Sequence, residues 1–278
     1  MKIVVVAPYK TKVLKSIEAL EKIKLGEVLL IGSIDSINQV IIKEKIKIKS
    51  KIIDTSNNDL VKTVKDNIDN DTLLVFDDVE EITLKQILES NKNVNDEINY
   101  FYTIDIPDNK NYIFVSNYSK KRTLDFDDKK KAIASIFDFM NYLGIKKSNV
   151  ALITDKLSKT DILEVNLIKM ILKEDVLKNV NVNSPCRLDE LFNKEYYNNI
   201  YQNNINLLVF KNYDITQTFI NTLSLFSNNK IASICKYQKN IYIDCVNQHD
   251  ERNILFSIIL GSKYYANKRK IFIKKLVN

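Results

Sequence analysis

The chain has 278 residues, of which 45% are hydrophobic and 28% are charged, and its formal net charge is +7. No run approaches 18 apolar residues, and no small-residue cleavage site follows the apolar start at residues 3–7, so the sequence predicts neither a membrane span nor a secretory signal. The basic residues are dispersed among 35 acidic ones, which disfavours nucleic-acid binding. We therefore expect a protein that binds neither nucleic acid nor a membrane.

The numbers and positions of the glycines and cysteines exclude several kinds of binding site. The chain has four glycines, and no two of them lie within five positions of each other, which excludes GxGxxG and Walker-type phosphate loops. Its three cysteines all lie in the last third and show no CxxC spacing, so neither a disulfide framework nor a structural zinc site is predicted. Such cysteine usage fits a reducing cytoplasm.

The first part of the chain predicts strands that alternate with helices. A β-branched run at residues 3–7 precedes a helical pattern in which Val13, Ile17, Leu20 and Ile23 share one face. The following segments are predicted as strand 27–32, helix 36–42, strand 51–54, helix 60–68, strand 72–76 and helix 84–88. This alternation indicates a mostly parallel sheet with helices on both faces.

The middle of the chain interrupts the alternation, which then resumes. Two consecutive strands are predicted at residues 100–106 and 112–116, and the acidic residues before Lys129 are read as the first turn of a helix that extends to Gly144. The later predictions are strand 149–154, helix 161–172, strand 179–182, helix 188–198, strand 205–210, helix 215–226, strands 231–236 and 240–245, and a helix from about 251 to 265. We therefore predict two α/β lobes with mixed, mainly parallel sheets, residues 1–127 with 229–278 and residues 128–228.

One segment of the second predicted lobe carries a short motif. The sequence VNVNSPCRLDELF, residues 180–192, is similar to an Asp-Gly-Pro-Leu-x-x-Asp stretch. Pro185 and Asp189 match that stretch, whereas Asn183 and Ser184 stand at its first two positions. About half of the motif is therefore present.

Two further segments are similar to short motifs. The sequence LLVFKNYDITQTFINT resembles a strand and loop that end in Gly-Asn, and here Ile215 and Thr216 occupy those two positions. The sequence LVFDDVEEITLKQIL resembles a Met-Lys-Gly segment followed by a helix, and here Asp77 and Asp78 hold the lysine and glycine positions. An aspartate in place of lysine reverses the charge at that position of the motif.

A fourth segment matches a Ser-Arg-x-Asp element near the C-terminus. In YIDCVNQH, Cys245 stands for the serine, Val246 for the arginine and Gln248 for the aspartate. In the order and spacing of all four segments the chain resembles the phosphate acetyltransferase and phosphate butyryltransferase family. The resemblance runs nearly from end to end.

The resemblance implies a fold, a reaction and an assembly. The fold is two α/β lobes with a cleft between them, of the isocitrate and isopropylmalate dehydrogenase type. The reaction moves an acetyl or butyryl group between coenzyme A and phosphate, so that coenzyme A or acyl-CoA is a substrate and no cofactor or metal is permanently bound. The family also implies a homodimer.

The resemblance places candidate catalytic groups after the strand that ends near Cys245. In the family the aspartate is the base, and Gln248 cannot accept a proton at neutral pH. Its neighbour His249 carries a side chain that titrates near neutrality and is the candidate replacement. Cys245 is open to two interpretations, a nucleophile or a small buried hydrophobe in the place of the serine.

Candidate substrate-binding residues come from the same segments. Two of the four arginines of the chain lie within them, and each is interpreted either as a phosphate or diphosphate contact or as a surface charge. The complete set of substrate-binding candidates is Ser184, Pro185, Arg187, Asp189, Thr216 and Arg252.

Three functions stay open from the sequence. The first is phosphate acyltransferase activity, the second is an inactive paralogue that binds coenzyme A or serves as a partner subunit, and the third is a thiol enzyme that uses Cys245. The acidic run Asp77, Asp78, Glu80 and Glu81 is interpreted as a loop and helix start rather than a metal site, because no histidine or Dx[DN]xDG pattern accompanies it.

Overall fold

The computed structural model of the chain describes residues 1–89, 98–106, 112–118, 124–154, 158–174, 177, 179–183, 185–192, 204–238, 240–246, 248 and 250–277. The chain divides into two compact units, Met1–Asp96 with Ala232–Asn278, and Glu97–Ile231. Strands and helices alternate in each unit, and most strand pairs are parallel. The predicted class, α/β with mixed, mainly parallel sheets, is confirmed.

The described elements follow one another in a regular order. They are β1 (Lys2–Val6), α1 (Thr11–Ile23), β2 (Glu27–Gly32), α2 (Ile34–Glu44), β3 (Lys51–Asp54), α3 (Leu60–Asp66), β4 (Leu73–Phe76), α4 (Glu81–Leu88), β5 (Asn99–Asp105), β6 (Ile113–Tyr118), α5 (Phe126–Tyr142), β7 (Ser148–Leu152), α6 (Lys159–Glu174), β8 (Val180–Val182), α7 (Leu188–Phe192), β9 (Leu207–Val209), α8 (Tyr213–Phe226), β10 (Lys230–Tyr237), β11 (Asn240–Asp244) and α9 (Glu251–Val277).

The strands of the first unit lie in the order β3-β2-β1-β4-β11-β10. The neighbours from β3 to β11 are parallel, and β10 pairs with β11 in the antiparallel direction. The residues Ile3, Val4, Val5 and Val6 of β1 are fully buried, as expected for a central strand covered by helices on both faces. The chain leaves β1 towards β2 on one side and returns to β4 on the other.

Helix α1 shows how the sequence pattern specifies this unit. Val13, Ile17 and Leu20 are buried on one face, as the spacing predicts. Ile23, placed on the same face by the pattern, is 51% exposed, because the helix ends there and Lys24 adopts a left-handed conformation with φ 52°.

The strands of the second unit lie in the order β5-β6-β9-β7-β8. Strands β5 and β6 form an antiparallel pair, whereas β6-β9, β9-β7 and β7-β8 are parallel. The core includes Tyr102, Val115, Ala151, Leu208 and Ile220 from the strands and from α8. This core lies beneath the strand ends that form the cavity described below.

The boundary between the units differs from the sequence-based division. The prediction placed residues 97–127 with the first lobe, whereas in the structure they belong to the second unit. The reason is a long-range parallel pairing in which Phe114 is opposite Leu207 and Ser116 is opposite Val209. No local pattern in the sequence predicts the pairing of these two strands.

Helix α5 begins with a capping box. The backbone N–H of Asp128 donates to Oδ1 of Asp125 at 2.8 Å, and the N–H of Asp125 donates back to Asp128 at 3.3 Å. The acidic residues therefore form the first turn of the helix, as predicted, and they stabilise it by binding its free N–H groups. Across the described residues, no helix combines the length and the apolar character needed to cross a membrane.

The packing of α9 on the sheet of the first unit can be tested at Gly261. A Cβ atom there would lie 3.0 Å from both Cδ atoms of Leu73 and 3.5 Å from Cδ1 of Ile243. Because a larger side chain has no room, Gly261→Leu is expected to lower the free energy of unfolding by about 1–3 kcal/mol. Urea unfolding followed by far-UV circular dichroism measures this loss.

The control places the same side chain on the exposed face of α9. Ala266 is exposed, so Ala266→Leu is expected to change the free energy of unfolding by no more than about 0.5 kcal/mol. Equal stabilities for the two variants would contradict the close contact at Gly261.

Candidate functional site

A cavity of about 540 Å³ lies in the second unit, where its parallel strands end. It is lined by Ile153, Thr154, Arg187, Leu188, Asp189, Phe210, Lys211 and Ile215. Loops converge at the carboxyl ends of parallel strands, which is where α/β proteins bind ligands. The volume is within the range of small-molecule sites.

Backbone pairing just beyond the strands holds the cavity wall together. Ile153 forms a parallel bridge with Cys186. The N–H of Thr154 donates to the carbonyl of Cys186 at 3.1 Å, and the N–H of Cys186 donates to the carbonyl of Leu152 at 3.1 Å. These bonds place Arg187 beside the end of β7.

Two cationic side chains are among the lining residues. Arg187 binds Asp189 through two hydrogen bonds, Nη2 to Oδ2 at 2.6 Å and Nε to Oδ1 at 3.0 Å, and both side chains are at least half exposed. Lys211 lies with its Nζ 3.5 Å from Oδ1 of Asp161. With its apolar lining, the cavity suits a ligand that has an anionic group and an apolar part.

Asp161 connects Lys211 to the start of α6. Its Oδ2 accepts hydrogen bonds from the Ser158 hydroxyl at 2.7 Å and from the Thr154 hydroxyl at 3.3 Å, and its own N–H donates to Ser158 Oγ at 3.1 Å. Partial burial on its own would raise the pKa of Asp161, but the Ser158 hydrogen bonds and the Lys211 ammonium together lower it below its ordinary value. The carboxylate therefore stays ionised and holds Lys211 at the cavity.

The predicted substrate-binding residues of the 180–192 segment come together here. Arg187 and Asp189 line the cavity. Pro185 is buried and lines a narrow cleft next to the cavity, together with Thr154 and Lys211. Ser184 lies outside the described residues. Sequence reasoning missed Lys211 and Thr154. Thr154 is the last residue of the predicted strand 149–154, Lys211 directly follows the predicted strand 205–210, and these positions at the carboxyl ends of strands are the signal that could have found them.

Thr216 lies close to the cavity but does not line it. Its side chain is fully buried, and its hydroxyl donates to the carbonyl of Asn212 at 2.8 Å, one turn earlier. Asn212 also caps α8, because its Oδ1 accepts the N–H of Ile215 at 2.8 Å. The preceding residue, Ile215, contributes the side chain to the cavity instead.

The predicted catalytic residues belong to the first unit and follow β11. Gln248 is 6% exposed, with its Nε2 donating to the Asp244 carbonyl and its Oε1 accepting from the Ser257 hydroxyl, both at 3.0 Å. Both halves of its amide are thus engaged in joining β11 to α9. His249 lies outside the described residues. Arg252, 66% exposed at its side chain, donates two hydrogen bonds to Asp250.

Cys245 is fully buried at the end of β11. Its N–H donates to the carbonyl of Phe76 at 2.8 Å. Burial raises the pKa of the Cys245 thiol well above its ordinary value, and the nearby carboxylates of Asp77 and Asp244 raise it further. A thiol that stays protonated is a poor nucleophile, which favours the interpretation of Cys245 as a small buried hydrophobe.

Asp77 is the residue of this region that sequence reasoning undervalued. It is fully buried, and Lys10 binds it twice, through its backbone N–H to Oδ2 at 2.9 Å and through Nζ to Oδ1 at 3.2 Å. The charge reversal at the lysine position of the motif is thus matched by a lysine from the loop after β1. The parallel pairing of β1 with β4 brings the two residues together, and the sequence offers no other signal for it.

A second lysine from the start of α1 completes this cluster. Lys12 donates a hydrogen bond from Nζ to the carbonyl of Gln248. Burial lowers the pKa of Lys12, and the positive charge of Lys10 lowers it further. In the part of the chain that the structure describes, no three histidine, cysteine or acidic side chains are grouped to hold a metal ion.

The buried carboxylate makes stability depend on pH in a defined direction. Burial raises the pKa of Asp77 above 3.8, its ordinary value, although the bonds from Lys10 oppose the shift. The folded protein therefore binds the proton more tightly than the unfolded chain, and stability falls as pH rises from about 4 through the raised pKa. Because Asp77→Asn removes this loss, the free energy of unfolding of the variant relative to the wild type is expected to increase between pH 4 and 7.

The neighbouring carboxylate provides the control. Asp78 is 65% exposed, so the stability of Asp78→Asn relative to the wild type should be nearly independent of pH over the same range. Chemical denaturation at a series of pH values measures both variants. A constant or decreasing difference for Asp77→Asn would contradict a raised pKa.

The fold is similar to that of solved phosphotransacylases over nearly the whole chain. A branched-chain phosphotransacylase from Enterococcus faecalis V583 matches with a TM-score of 0.72 and 13% identity, covering 95% of this chain and 99% of that one. A phosphotransacetylase from Streptococcus pyogenes matches with a TM-score of 0.70 and 10% identity, covering 96% and 94%.

A dehydrogenase shares the same architecture. The 4-hydroxythreonine-4-phosphate dehydrogenase from Klebsiella pneumoniae matches with a TM-score of 0.60 and 11% identity, covering 95% of this chain and 99% of that one. No protein-family model and no curated protein matches the sequence. The chain therefore has the fold that phosphotransacylases share with this dehydrogenase.

Proposed function

We propose that the protein transfers an acyl group between coenzyme A and phosphate. The cavity of the second unit carries this proposal, because in a phosphotransacylase-like fold it places Arg187 and Lys211 beside an apolar surface at the strand ends. Acyl-CoA and phosphate, or acyl phosphate and coenzyme A, are the substrates. No permanently bound cofactor enters the reaction.

The reaction needs positive charge where phosphate binds. When acyl-CoA is made, the coenzyme A sulfur bonds to the carbonyl carbon of the acyl phosphate, the carbon–oxygen bond to phosphate breaks, and phosphate leaves with the electron pair. The thiol proton passes to a base. Arg187 is suited to two parallel hydrogen bonds with phosphate, and Lys211 supplies a compact charge. Both would stabilise the charge on the leaving group.

The apolar lining suits the other end of the substrate. Ile153, Leu188, Phe210 and Ile215 offer hydrocarbon surface to an acyl chain. Asp189 and phosphate would compete for Arg187. Phosphate could displace Asp189, because the Arg187–Asp189 ion pair is exposed and breaks at little cost. Binding of phosphate at Arg187 therefore exchanges one anion for another.

The residues after β11 receive different roles in this proposal. Gln248 is assigned a structural role, since its amide is occupied by Asp244 and Ser257. His249 stays the predicted base, and Arg252 stays a predicted phosphate contact that would have to leave Asp250. We also propose a cytoplasmic location, which the three free, buried cysteines support.

Thiol release measures the reaction directly. Purified protein mixed with acetyl- or butyryl-CoA and phosphate is expected to release coenzyme A thiol, with little background because its own cysteines are buried. Arg187→Gln and Lys211→Gln are each expected to raise the KM for phosphate about tenfold or more, because each variant loses roughly one charge-assisted hydrogen bond to phosphate. Lys146→Gln, at an exposed lysine that does not line the cavity, should leave the KM unchanged.

A lack of turnover with every acyl-CoA would overturn the proposed reaction. Thermal unfolding with and without coenzyme A then separates two outcomes. A higher Tm would indicate a protein that binds coenzyme A without catalysis, and an unchanged Tm would remove coenzyme A as a ligand.

The predicted base has its own test. His249→Gln is expected to lower kcat about 100-fold or more without changing the KM for phosphate, because loss of a general base slows proton transfer rather than binding. Gln248→Ala is expected to lower the Tm, since it removes two buried hydrogen bonds, and to leave kcat within about twofold at a temperature where the protein is folded. A normal kcat for His249→Gln would contradict the assignment.

A further inference from the structure

The cavity of the second unit is larger than a short acyl phosphate requires. Its volume is about 540 Å³. At about 30 Å³ for each non-hydrogen atom, the share of one water molecule in the liquid, acetyl phosphate fills less than half of this volume and octanoyl phosphate fills roughly three quarters. The cavity therefore has room for a longer hydrocarbon chain beyond the anionic head of the ligand.

The floor of the cavity is part of the hydrophobic core. Ile153 and Phe210 are 8% and 1% exposed, and both belong to the core of the second unit. The ring of Phe210 packs against the ring of Phe219, with their centroids 5.1 Å apart. These contacts hold the floor in place, and its two side chains present hydrocarbon to a ligand.

The rim of the cavity includes an apolar side chain whose backbone is fixed. Ile215 lines the cavity and is 47% exposed. It lies in the first turn of α8, where its N–H donates to Oδ1 of Asn212, the capping residue, at 2.8 Å. A ligand chain packed against Ile215 would remove the exposed part of this side chain from water, which is favourable in proportion to the apolar area that is buried.

The polar side chains of the lining are paired with one another or with Asp161. Arg187 binds Asp189. Lys211 and the Thr154 hydroxyl both contact Asp161. An anionic head group can use the two cations. Polar groups elsewhere in a ligand, such as the amides of the coenzyme A arm, would instead face apolar side chains, and a buried amide without a hydrogen-bond partner costs free energy that a hydrocarbon chain does not.

We propose that this cavity preferentially binds an anionic ligand with a hydrocarbon chain of about six to eight carbons, and that Ile215 contributes to this preference. In the reaction proposed above the ligand is a medium-chain acyl phosphate, so the identity of the head group rests on the proposed function. The preference for a chain rests on the cavity alone and can be measured without turnover.

Isothermal titration calorimetry with methylphosphonate and heptylphosphonate measures the preference. Both probes carry a phosphate-like anion that cannot be transferred, and they differ only in the length of the chain. Each added methylene is expected to tighten binding about twofold to threefold, because an open cavity removes only part of it from water, so heptylphosphonate should bind roughly 100-fold more tightly. Equal dissociation constants for the two probes would overturn the proposal.

Two matched variants of α8 test the role of Ile215. Ile215→Asn replaces hydrocarbon at the rim with an amide, and it is expected to weaken heptylphosphonate binding about fivefold while methylphosphonate binding stays the same. Leu225→Asn makes a similar change near the other end of the helix, where Leu225 is 76% exposed and does not line the cavity, and both constants should stay the same. Because both residues are exposed, the circular dichroism spectra should match the wild type. An unchanged heptylphosphonate constant in Ile215→Asn would contradict the assignment of Ile215.

The place of the anionic head is tested separately. Arg187→Gln is expected to weaken the binding of both probes by the same factor, because it removes a contact to the head group that the two probes share. If neither probe binds more weakly to this variant, the probes bind outside the cavity and the proposal is overturned.

Turnover separates this proposal from the proposed reaction. At saturating phosphate, kcat/KM for octanoyl-CoA is expected to exceed that for acetyl-CoA about tenfold or more. Turnover that is equal or faster with acetyl-CoA would overturn the chain preference and leave the reaction intact. Tight binding of heptylphosphonate without turnover of any acyl-CoA would instead overturn the reaction and support the chain preference.

Discussion

The parallel pairing of β9 with a strand on each side is the constraint on which the candidate site depends. Leu207–Val209 pairs with β6 through Phe114, Val115 and Ser116, and with β7 through Val150, Ala151 and Leu152. Because all three strands run in the same direction, the segments that follow β7 and β9 leave the sheet at one edge. Thr154 and Lys211 therefore reach the same cavity although 57 positions separate them in the chain.

In the first unit, adjacent parallel strands likewise bring a buried charge and its partner together. The parallel strands β1 and β4 end side by side, so Lys10 and Asp77 meet although they are far apart in sequence. Burying a carboxylate costs free energy even when a lysine binds it, and the raised pKa of Asp77 is the sign of that cost. Proteins tend to retain such unfavourable groups where they serve a site, which makes this cluster a second region of interest.

The candidate residues fall into two groups, those whose side chains reach the cavity and those whose polar groups are bound within the protein. Arg187 and Asp189 reach a cavity and pair with each other at its wall, where an exposed ion pair can open for a ligand. Thr216 and Gln248 came from the same motif comparison, yet their polar groups are bound within the protein. A motif position indicates where along the chain a candidate side chain lies, and the surrounding contacts decide whether that side chain is available.

The sequence by itself determined the order and type of the elements, because burial on one or two faces leaves a periodic signal. The alternation of strands and helices, the buried face of α1 and the acidic first turn of α5 were all predictable from local pattern and capping chemistry. Only the tertiary structure assigned residues 97–127 to the second unit, brought Lys211 and Arg187 to one cavity and paired Asp77 with Lys10. Each of these depends on pairing between distant strands, and that pairing is set by the packing of the whole sheet rather than by neighbours along the chain.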